Sequence, residues 1–322
     1  MLRVDLGVFA HDEEAGISAM IAGLRAQRVP GLDLRVLVLA NGCADQTVQV
    51  ARAAGAEVAE LPEGGKSRTW NHFVHGLSRP EADLLIFADA DIVLPEPDTL
   101  ARLIDGLTKR PALWVLNSQP VKDTALRGAQ TWVERLALKA SGGLDDWKTA
   151  ICGQLYAMPA ARARQFLLPI GLPVEDGFLR AMVLTSALSA QEDLSRIDGL
   201  DGLHHVYASE TTLAGLVRHQ ERIVIGSAIN AALFAHLRAL PDGARRAELA
   251  RLAREDRALS GVLAQALPRW PDGYVPLHFL VKRLARARMS RLPVALLGFA
   301  FDAIVYLRAQ IRMARGAGAG FW

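Results

Sequence analysis

Short apolar segments alternate with longer amphipathic segments along the first part of the chain. Four apolar segments have the length of a β-strand and are rich in Val, Leu, Ile or Phe, namely residues 3–10, 34–40, 57–61 and 84–88. The segments between them have helical periodicity and are bounded by Gly or Pro, namely residues 13–28, 45–54 and 67–77. This alternation predicts an α/β fold, with a mostly parallel sheet that helices cover on both faces.

The pattern changes beyond about residue 150. Residues 151–158 form one more strand-like segment, a less regular stretch runs to about residue 205, and helical periodicity dominates from Thr211 onward. Residues 244–267 alternate Arg, Glu and Leu, which predicts one solvated amphipathic helix. We therefore predict an α/β domain over residues 1–230 and a helical C-terminal extension over residues 231–322.

Composition narrows the class of protein. The 322 residues are 51% hydrophobic and 22% charged, which is typical of a folded globular chain. The formal charge of +3 at pH 7 is too small to indicate a nucleic-acid partner. The two cysteines, Cys43 and Cys152, lack the spacing of a zinc site or a disulfide framework. Together with an N-terminus that resembles a strand rather than a secretory signal, this predicts a cytoplasmic protein.

A stretch of sixteen mostly apolar residues lies between Arg291 and Arg308. It is too short to span a bilayer and contains Asp302 near its middle. Basic residues flank it on both sides, namely Lys282, Arg283, Arg286, Arg288, Arg291, Arg308, Arg312 and Arg315. Two interpretations stay open: residues 282–315 make a peripheral contact with the anionic inner face of a membrane, or the apolar segment is a helix that packs on the core.

Polar residues follow each predicted strand, and the sharpest motif follows the fourth. Asp89 and Asp91 lie one residue apart at the end of an apolar run. Alternate residues of an extended segment face the same way, so both carboxylates can approach one cation. Mg²⁺ and Mn²⁺ prefer oxygen ligands and are often bound by one or two carboxylates together with substrate phosphates. The motif indicates a metal-assisted diphosphate site, and the alternative is a solvated strand end beside a helix cap.

Four segments occur in the order in which a known family carries its motifs. VFAHDEE at residues 8–14 resembles that family's opening strand and N-E turn, and LVLANGCADQT at residues 37–47 resembles its D-N-G-S-T-D-G-T segment. GKSRTWN at residues 65–71 is similar to its K-G-x-A-x-N segment, and Asp89-Ala90-Asp91 to its metal motif. The family is the inverting glycosyltransferases of family 2, which have the GT-A fold, and the resemblance covers roughly residues 3–230.

This resemblance implies a function, a cofactor and a set of site residues. It implies transfer of a hexosyl or N-acetylhexosaminyl group from a nucleotide sugar, with UDP as the expected nucleotide, to a hydroxyl acceptor in glycan, polysaccharide or glycolipid synthesis. The implied metal is Mn²⁺ or Mg²⁺, bound by Asp91 and Asp89. The residues implied to bind the nucleotide sugar are Ala10, Asp12, Glu13, Asn41, Asp45, Lys66, Arg68, Asp89 and Arg222.

LPVEDGFL at residues 172–179 resembles the family's E-D-x-x-L segment. The resemblance implies that Asp176 is the general base, and its neighbour Glu175 is the residue most easily confused with it. An inverting transfer needs one carboxylate to take the proton of the acceptor hydroxyl while the diphosphate leaves from the opposite face. The alternative interpretation is an ordinary acidic pair at a helix N-terminus.

Two departures from the family pattern keep other functions open. Ala40 replaces an acid that contacts the nucleoside in many relatives, and Arg222 lies in a segment where His219 and Ile223 replace the Gln and Trp of the Q-x-x-R-W motif. One alternative is a non-catalytic GT-A protein that binds a nucleotide. The other is a sugar-phosphate nucleotidylyltransferase, although the acidic residues 11–14 after the first strand would repel a triphosphate.

Overall fold

The computed structural model describes residues 1–128, 147–267, 273–277, 279–280 and 292–316. The chain folds into two compact units. The first comprises Met1–Leu168 and Glu175–Ser209, and the second comprises Pro169–Val174 and Glu210–Trp322. The boundary predicted between residues 230 and 231 stays a prediction.

An eight-stranded sheet forms the centre of the first unit among the residues described. Its strands are β1 (Leu2–Ala10), β2 (Leu32–Asn41), β3 (Glu57–Leu61), β4 (Leu84–Asp89), β5 (Ile92–Val93), β6 (Val115–Lys122), β7 (Leu155–Pro159) and β8 (Ile197–Tyr207). They are arranged in the order β3-β2-β1-β4-β7-β6-β8-β5. The first four strands of this order are parallel, whereas β7 runs antiparallel to both of its neighbours and β5 antiparallel to β8.

Helices connect these strands. They are α1 (Ile17–Arg25), α2 (Thr47–Ala53), α3 (Lys66–His72), α4 (Thr99–Thr108), α5 (Asp123–Arg127), α6 (Ala160–Ala163) and α7 (Glu175–Leu184). A π-helical turn, Phe73–Leu77, continues α3. The predicted mixed α/β fold with a mostly parallel sheet is therefore confirmed.

The central strand β1 aligns the functional ends of its neighbours. Seven consecutive residues of β1 are buried, because helices or other core residues cover both faces of the sheet. In the register, Phe9 lies beside Leu39 of β2 and beside Asp89 of β4. The carboxyl ends of three parallel strands therefore reach the same edge, where ligands bind in open α/β sheets.

Helices make up the second unit among the residues described. They are α8 (Leu213–Ala239), α9 (Asp242–Leu252), α10 (Ala258–Ala266) and α11 (Leu292–Ala314). The single helix predicted over residues 244–267 is wrong, since α9 and α10 are separate. Residues 254–257 are polar and exposed, so they bury no apolar side chain that would hold another helical turn in place. Within the described ranges, every helix is too short or too polar to cross a membrane.

The buried side chain of His205 in β8 should make the free energy of unfolding depend on pH. Its side chain is fully buried, with Nε2 3.1 Å from Gln154 Oε1 and Nδ1 3.1 Å from the Ser118 hydroxyl. Burial lowers the pKa of His205 to about 4, whereas an exposed histidine titrates near about 6.5. The folded state therefore resists protonation of His205 more than the unfolded state does. The free energy of unfolding should keep its full value above about pH 6.5 and should fall by about 3 kcal/mol as the pH falls to about 4.

Urea unfolding of the wild type and His205→Gln at several pH values tests this expectation. The variant should lose this part of the pH dependence, because glutamine does not titrate. His204→Gln is the matched control, since His204 is only partly buried on the same strand. An identical pH slope in wild type and His205→Gln would show that another group causes the acid sensitivity.

Candidate functional site

The loops that follow β1, β2 and β3 are bound to one another. Asn41 is buried at the end of β2, and its Oδ1 accepts a hydrogen bond of 2.7 Å from the Gly65 backbone N–H. Its backbone oxygen lies 2.7 Å from His11 Nδ1. Gly42 has φ +60°, and a Cβ atom at this position would lie 2.8 Å from the α-carbon of Gly64. Glycine is therefore required at position 42 for the second and third loops to meet.

Asp45 and Thr47 connect the first two loops. The Thr47 hydroxyl oxygen accepts a hydrogen bond of 2.7 Å from the Glu13 N–H, and Asp45 Oδ2 accepts one of 3.0 Å from the Glu14 N–H. Burial acts to raise the pKa of Asp45, but hydrogen bonds from Thr47 and Glu14 outweigh burial and lower it. Asp45 is therefore held as a carboxylate that fixes the loop in which Glu13 lies.

Asp12, Cys43 and Asp45 place ligand-type atoms within 4.8 Å of one another. These atoms already serve the loops: Asp12 Oδ1 accepts a hydrogen bond of 2.7 Å from the Ala44 N–H, and the Cys43 thiol donates to the Ala10 carbonyl at 3.4 Å. A thiol is also a poor ligand for Mg²⁺ or Mn²⁺. We interpret this cluster as loop bracing, in which the structure brings together the predicted site residues Ala10, Asp12 and Asp45.

A second group of acids lies where β1 and β4 end. Asp89 is the last residue of β4, Asp91 follows it in an exposed turn, and Glu13 lies within their electrostatic reach. Burial, followed by the charges of Asp91 and Asp89, raises the pKa of Glu13. Burial also raises the pKa of Asp89 to about 6, although Lys66 opposes this rise. The carboxylates of Glu13, Asp89 and Asp91 therefore carry more negative charge than the neighbouring cation Lys66 neutralises.

Lys66, the first residue of α3, connects this group to a second acidic pair. Its Nζ lies 2.7 Å from Asp89 Oδ1 and 3.5 Å from Glu175 Oε1, and donates a hydrogen bond of 3.1 Å to the Gly153 carbonyl. Burial opposes the charge on Lys66, but Asp89 and Glu175 outweigh burial and raise its pKa above the ordinary value. Lys66 is therefore a permanent cation between β4 and α7.

Glu175 and Asp176 form the first turn of α7, where the helix dipole favours negative charge. Asp176 Oδ1 accepts a hydrogen bond of 2.6 Å from the Gly177 N–H. A Cβ atom at position 153 would lie 3.4 Å from Asp176 Oδ2 and 3.6 Å from Lys66 Nζ. The small residue Gly153 thus lets the Asp176 carboxylate and the Lys66 ammonium approach the same stretch of backbone.

Aromatic side chains pack beneath these charges. The Phe87 ring is stacked between Trp70 and Tyr156, with centroids 5.7 Å and 4.6 Å away, and Trp70 Nε1 donates to the Tyr156 hydroxyl at 3.0 Å. A pocket lies among these aromatic and charged side chains. It is lined by Phe9, Lys66, Trp70, Phe87, Gly153, Tyr156, Leu168, Glu175, Asp176 and Leu179. Its apolar base limits the hydration of the polar rim, which is the physical reason why burial opposes the charge on Lys66.

Arg68 and Arg222, two further predicted site residues, lie on α3 and α8. Arg68 pairs with Glu63 of the loop before α3, with Nη1 2.6 Å from Oε2. Arg222 is partly buried on α8 in the second unit. The neighbouring residue Glu221 is the buried member of that segment, and it pairs with Arg308 at 3.1 Å and with Arg312 at 3.4 Å.

Residue patterns alone did not single out Thr47, Gly153 or Tyr156 as parts of the site. Thr47 lies inside a family-like segment, but the sequence does not indicate that its hydroxyl contacts the predicted site residue Glu13. Gly153 and Tyr156 surround the start of β7, where the sequence carries no charged motif. Their role follows only from the antiparallel pairing of β7 with β4.

Replacing Lys66 by Met should lower the free energy of unfolding by about 2 kcal/mol, because Asp89 and Glu175 lose the cation between them. Urea unfolding measures the loss. Lys109→Met is the matched control, since Lys109 forms an exposed ion pair with Asp105 and should contribute less than about 0.5 kcal/mol. Equal losses in the two variants would show that Lys66 does not stabilise the site.

More than half of the chain matches a known protein family. The family model described as Glycosyl transferase family 2 matches residues 5–180. A search of the curated proteins finds no match.

Two solved structures resemble the fold. The mannosyltransferase PcManGT from Pyrobaculum calidifontis, in complex with GDP-Man and Mn²⁺, is 16% identical with a TM-score of 0.55, over 99% of this chain and 87% of that chain. The glucosyl-3-phosphoglycerate synthase from Mycobacterium tuberculosis, in complex with Mn²⁺, UDP-Glc and phosphoglyceric acid, is 21% identical with a TM-score of 0.51, over 75% and 81%. These similarities confirm the predicted GT-A class of α/β fold.

Proposed function

This chain belongs to glycosyl transferase family 2, and from that membership we propose that it transfers a sugar from a nucleotide diphosphate to an acceptor hydroxyl with inversion at the anomeric carbon. One observation carries the proposal. Asp89 and Asp91 lie at the carboxyl edge of the parallel strands, and Lys66 connects Asp89 to the acidic start of α7. The acids at the end of β4 suit a donor diphosphate with its cation, and the acids at the start of α7 suit the acceptor hydroxyl. Sugar transfer needs both groups of acids side by side.

The donor set fits a hard divalent cation. Asp89, Asp91 and Glu13 offer carboxylate oxygens, which Mg²⁺ and Mn²⁺ prefer. The raised pKa values of Glu13 and Asp89 reflect burial and mutual repulsion, and a bound cation would relieve that repulsion. We propose that Asp91 and Asp89 hold Mn²⁺ or Mg²⁺, which supplies charge neutralisation to the departing diphosphate.

The protein's own groups account for the remaining chemistry. Asp176 takes the proton of the acceptor hydroxyl, and the resulting oxygen attacks the anomeric carbon on the face opposite the departing diphosphate. Lys66 pairs with Asp89 and Glu175 and adds positive charge near the diphosphate. Glu13, Asn41 and Asp45 shape the loops around the nucleoside. The apolar base of the pocket keeps water away from the reacting atoms.

The proposal also covers the sugar and the nucleotide of the donor. The two similar structures contain GDP-Man and UDP-Glc, so hexosyl donors are the first to test and N-acetylhexosaminyl donors the next. We propose UDP as the nucleotide, and a hydroxyl acceptor in glycan, polysaccharide or glycolipid synthesis within the cytoplasm. Family membership disfavours the nucleotidylyltransferase alternative. An experiment is needed to distinguish the proposed transferase from a non-catalytic nucleotide-binding protein.

A thermal-shift screen of nucleotide sugars with Mn²⁺ tests the proposal. A donor at about 100 times its Kd should stabilise the folded state by about 2.7 kcal/mol, which raises Tm by several degrees. The same donor with EDTA is the control and should give little shift. The donor selected is then incubated with Mn²⁺ and released nucleoside diphosphate is measured. An unchanged Tm with every nucleotide sugar would contradict the proposal. A raised Tm without release of nucleoside diphosphate with any acceptor would favour the non-catalytic alternative.

A further inference from the structure

Helix α11 exposes a row of large apolar side chains. Leu296, Ile304, Leu307 and Ile311 are 52%, 53%, 59% and 52% exposed. Their spacing of eight, three and four residues places them on one side of the helix. We call these four residues the outer face of α11.

The opposite side of α11 already packs within its own unit. Val305, Ala309 and Met313 are buried, and the helix packs against α8. Arg308 and Arg312 bind the buried Glu221 of α8 at 3.1 Å and 3.4 Å. The core-packing interpretation of this helix is therefore correct for one side, whereas the outer face stays exposed in the part of the chain that the structure describes. Large apolar side chains gathered on one surface usually mark an interaction site.

Charge is strongly divided along the chain. Residues 273–322 contain eight Lys and Arg but one acidic residue, Asp302, and Asp302 is buried. The rest of the chain contains 29 Lys and Arg against 33 Asp and Glu, so the positive charge of the protein is concentrated in the part that includes α11. Five of the basic residues, Lys282, Arg283, Arg286, Arg288 and Arg291, lie outside the described residues, and only their place in the sequence is used.

We propose that the outer face of α11 docks onto an anionic lipid surface, with the helix lying in the plane of that surface. The apolar side chains would enter the boundary between headgroups and acyl chains. The exposed Arg315 follows the outer face at the end of α11 and would reach the lipid phosphates. A symmetric pair of chains is a poorer occupant, because it would bring two sets of basic residues together. This proposal does not depend on the proposed function.

Sedimentation of the full chain with vesicles tests the proposal. Binding to vesicles of phosphatidylcholine and phosphatidylglycerol in equal amounts should be at least about tenfold tighter than binding to phosphatidylcholine alone. High salt should weaken it, since salt screens the charges of the arginines and lipid phosphates. Equal binding to both kinds of vesicle, or binding to neither, would overturn the proposal.

Paired substitutions identify the surface. Leu307→Gln with Ile311→Gln should weaken vesicle binding by about a hundredfold, because two apolar side chains no longer enter the lipid. Leu126→Gln with Leu194→Gln is the matched control, since these side chains are 64% and 54% exposed elsewhere. Unchanged binding by the first pair would overturn the proposal.

A charge variant and the oligomeric state complete the test. Arg315→Glu should weaken binding about tenfold without touching the buried side of α11, and it decides the question if the Gln pair unfolds. Light scattering after gel filtration measures the mass of the protein in solution. A dimer that dissociates in the variant with Leu307→Gln and Ile311→Gln would assign the outer face to a second copy and overturn the lipid proposal.

Discussion

Replacing Asp91 by Asn should lower the rate of sugar transfer about a thousandfold while leaving the fold intact. A cation that neutralises charge on a departing diphosphate contributes several kcal/mol to transition-state stabilisation, and Asp91 is proposed to hold that cation. Asp91 is exposed, so its removal disturbs no buried partner, unlike removal of Asp89, which pairs with Lys66. Steady-state release of nucleoside diphosphate with Mn²⁺ measures the effect, and urea unfolding checks the stability.

The matched control is Asp105→Asn, which removes an exposed carboxylate that pairs with Lys109 in an i,i+4 arrangement on α4. It should leave the rate unchanged. The Mn²⁺ concentration needed for half-maximal activity should also rise in Asp91→Asn, because the cation loses a ligand. A full rate in Asp91→Asn at low Mn²⁺ would mean that the cation is bound elsewhere.

The sequence predicted the first half of the sheet because its strands are buried on both faces. β1 and β4 are almost continuously apolar, so their limits were predicted to within one residue at each end. β8 differs: its buried positions are interrupted by exposed residues around Asp201 and Gly202, and a register irregularity affects its pairing with β6. Alternation of polar and apolar residues is then lost, so the sequence indicated only an irregular stretch there.

The candidate site shows the same division. The carboxylates at the end of β4 were predicted because strand ends gather at one edge of a parallel sheet. The contact between Lys66 and Glu175 was not, since it joins residues 109 positions apart and depends on how α7 packs beside α3. Nothing in local periodicity indicates which distant charges will meet, and family resemblance assigned Lys66 to the donor without revealing its position between two acids.

Lys66 lies close to both of the neighbouring acids at the start of α7. The Glu175 carboxylate is only 14% exposed and lies 3.5 Å from the Lys66 ammonium, so its charge is partly neutralised. Asp176 faces the backbone at Gly153 and accepts a hydrogen bond from the N–H that follows it. Both carboxylates act on the Lys66 charge, so the choice of Asp176 as the proposed base rests on its place in the E-D-x-x-L-like segment, and substitution of each acid tests it.

Replacing Asp176 by Asn should therefore lower kcat by about 10²–10⁴-fold with little change in donor affinity, because the amide keeps the shape and the Gly177 contact but cannot take a proton. Glu175→Gln is the matched control, and it should cost about tenfold or less, since the amide oxygen can still accept a hydrogen bond from the Lys66 ammonium. Initial rates give kcat, and a thermal shift with donor and Mn²⁺ checks donor binding. A larger loss in Glu175→Gln than in Asp176→Asn would assign the base to Glu175, and full activity in both variants would exclude a carboxylate base at the start of α7.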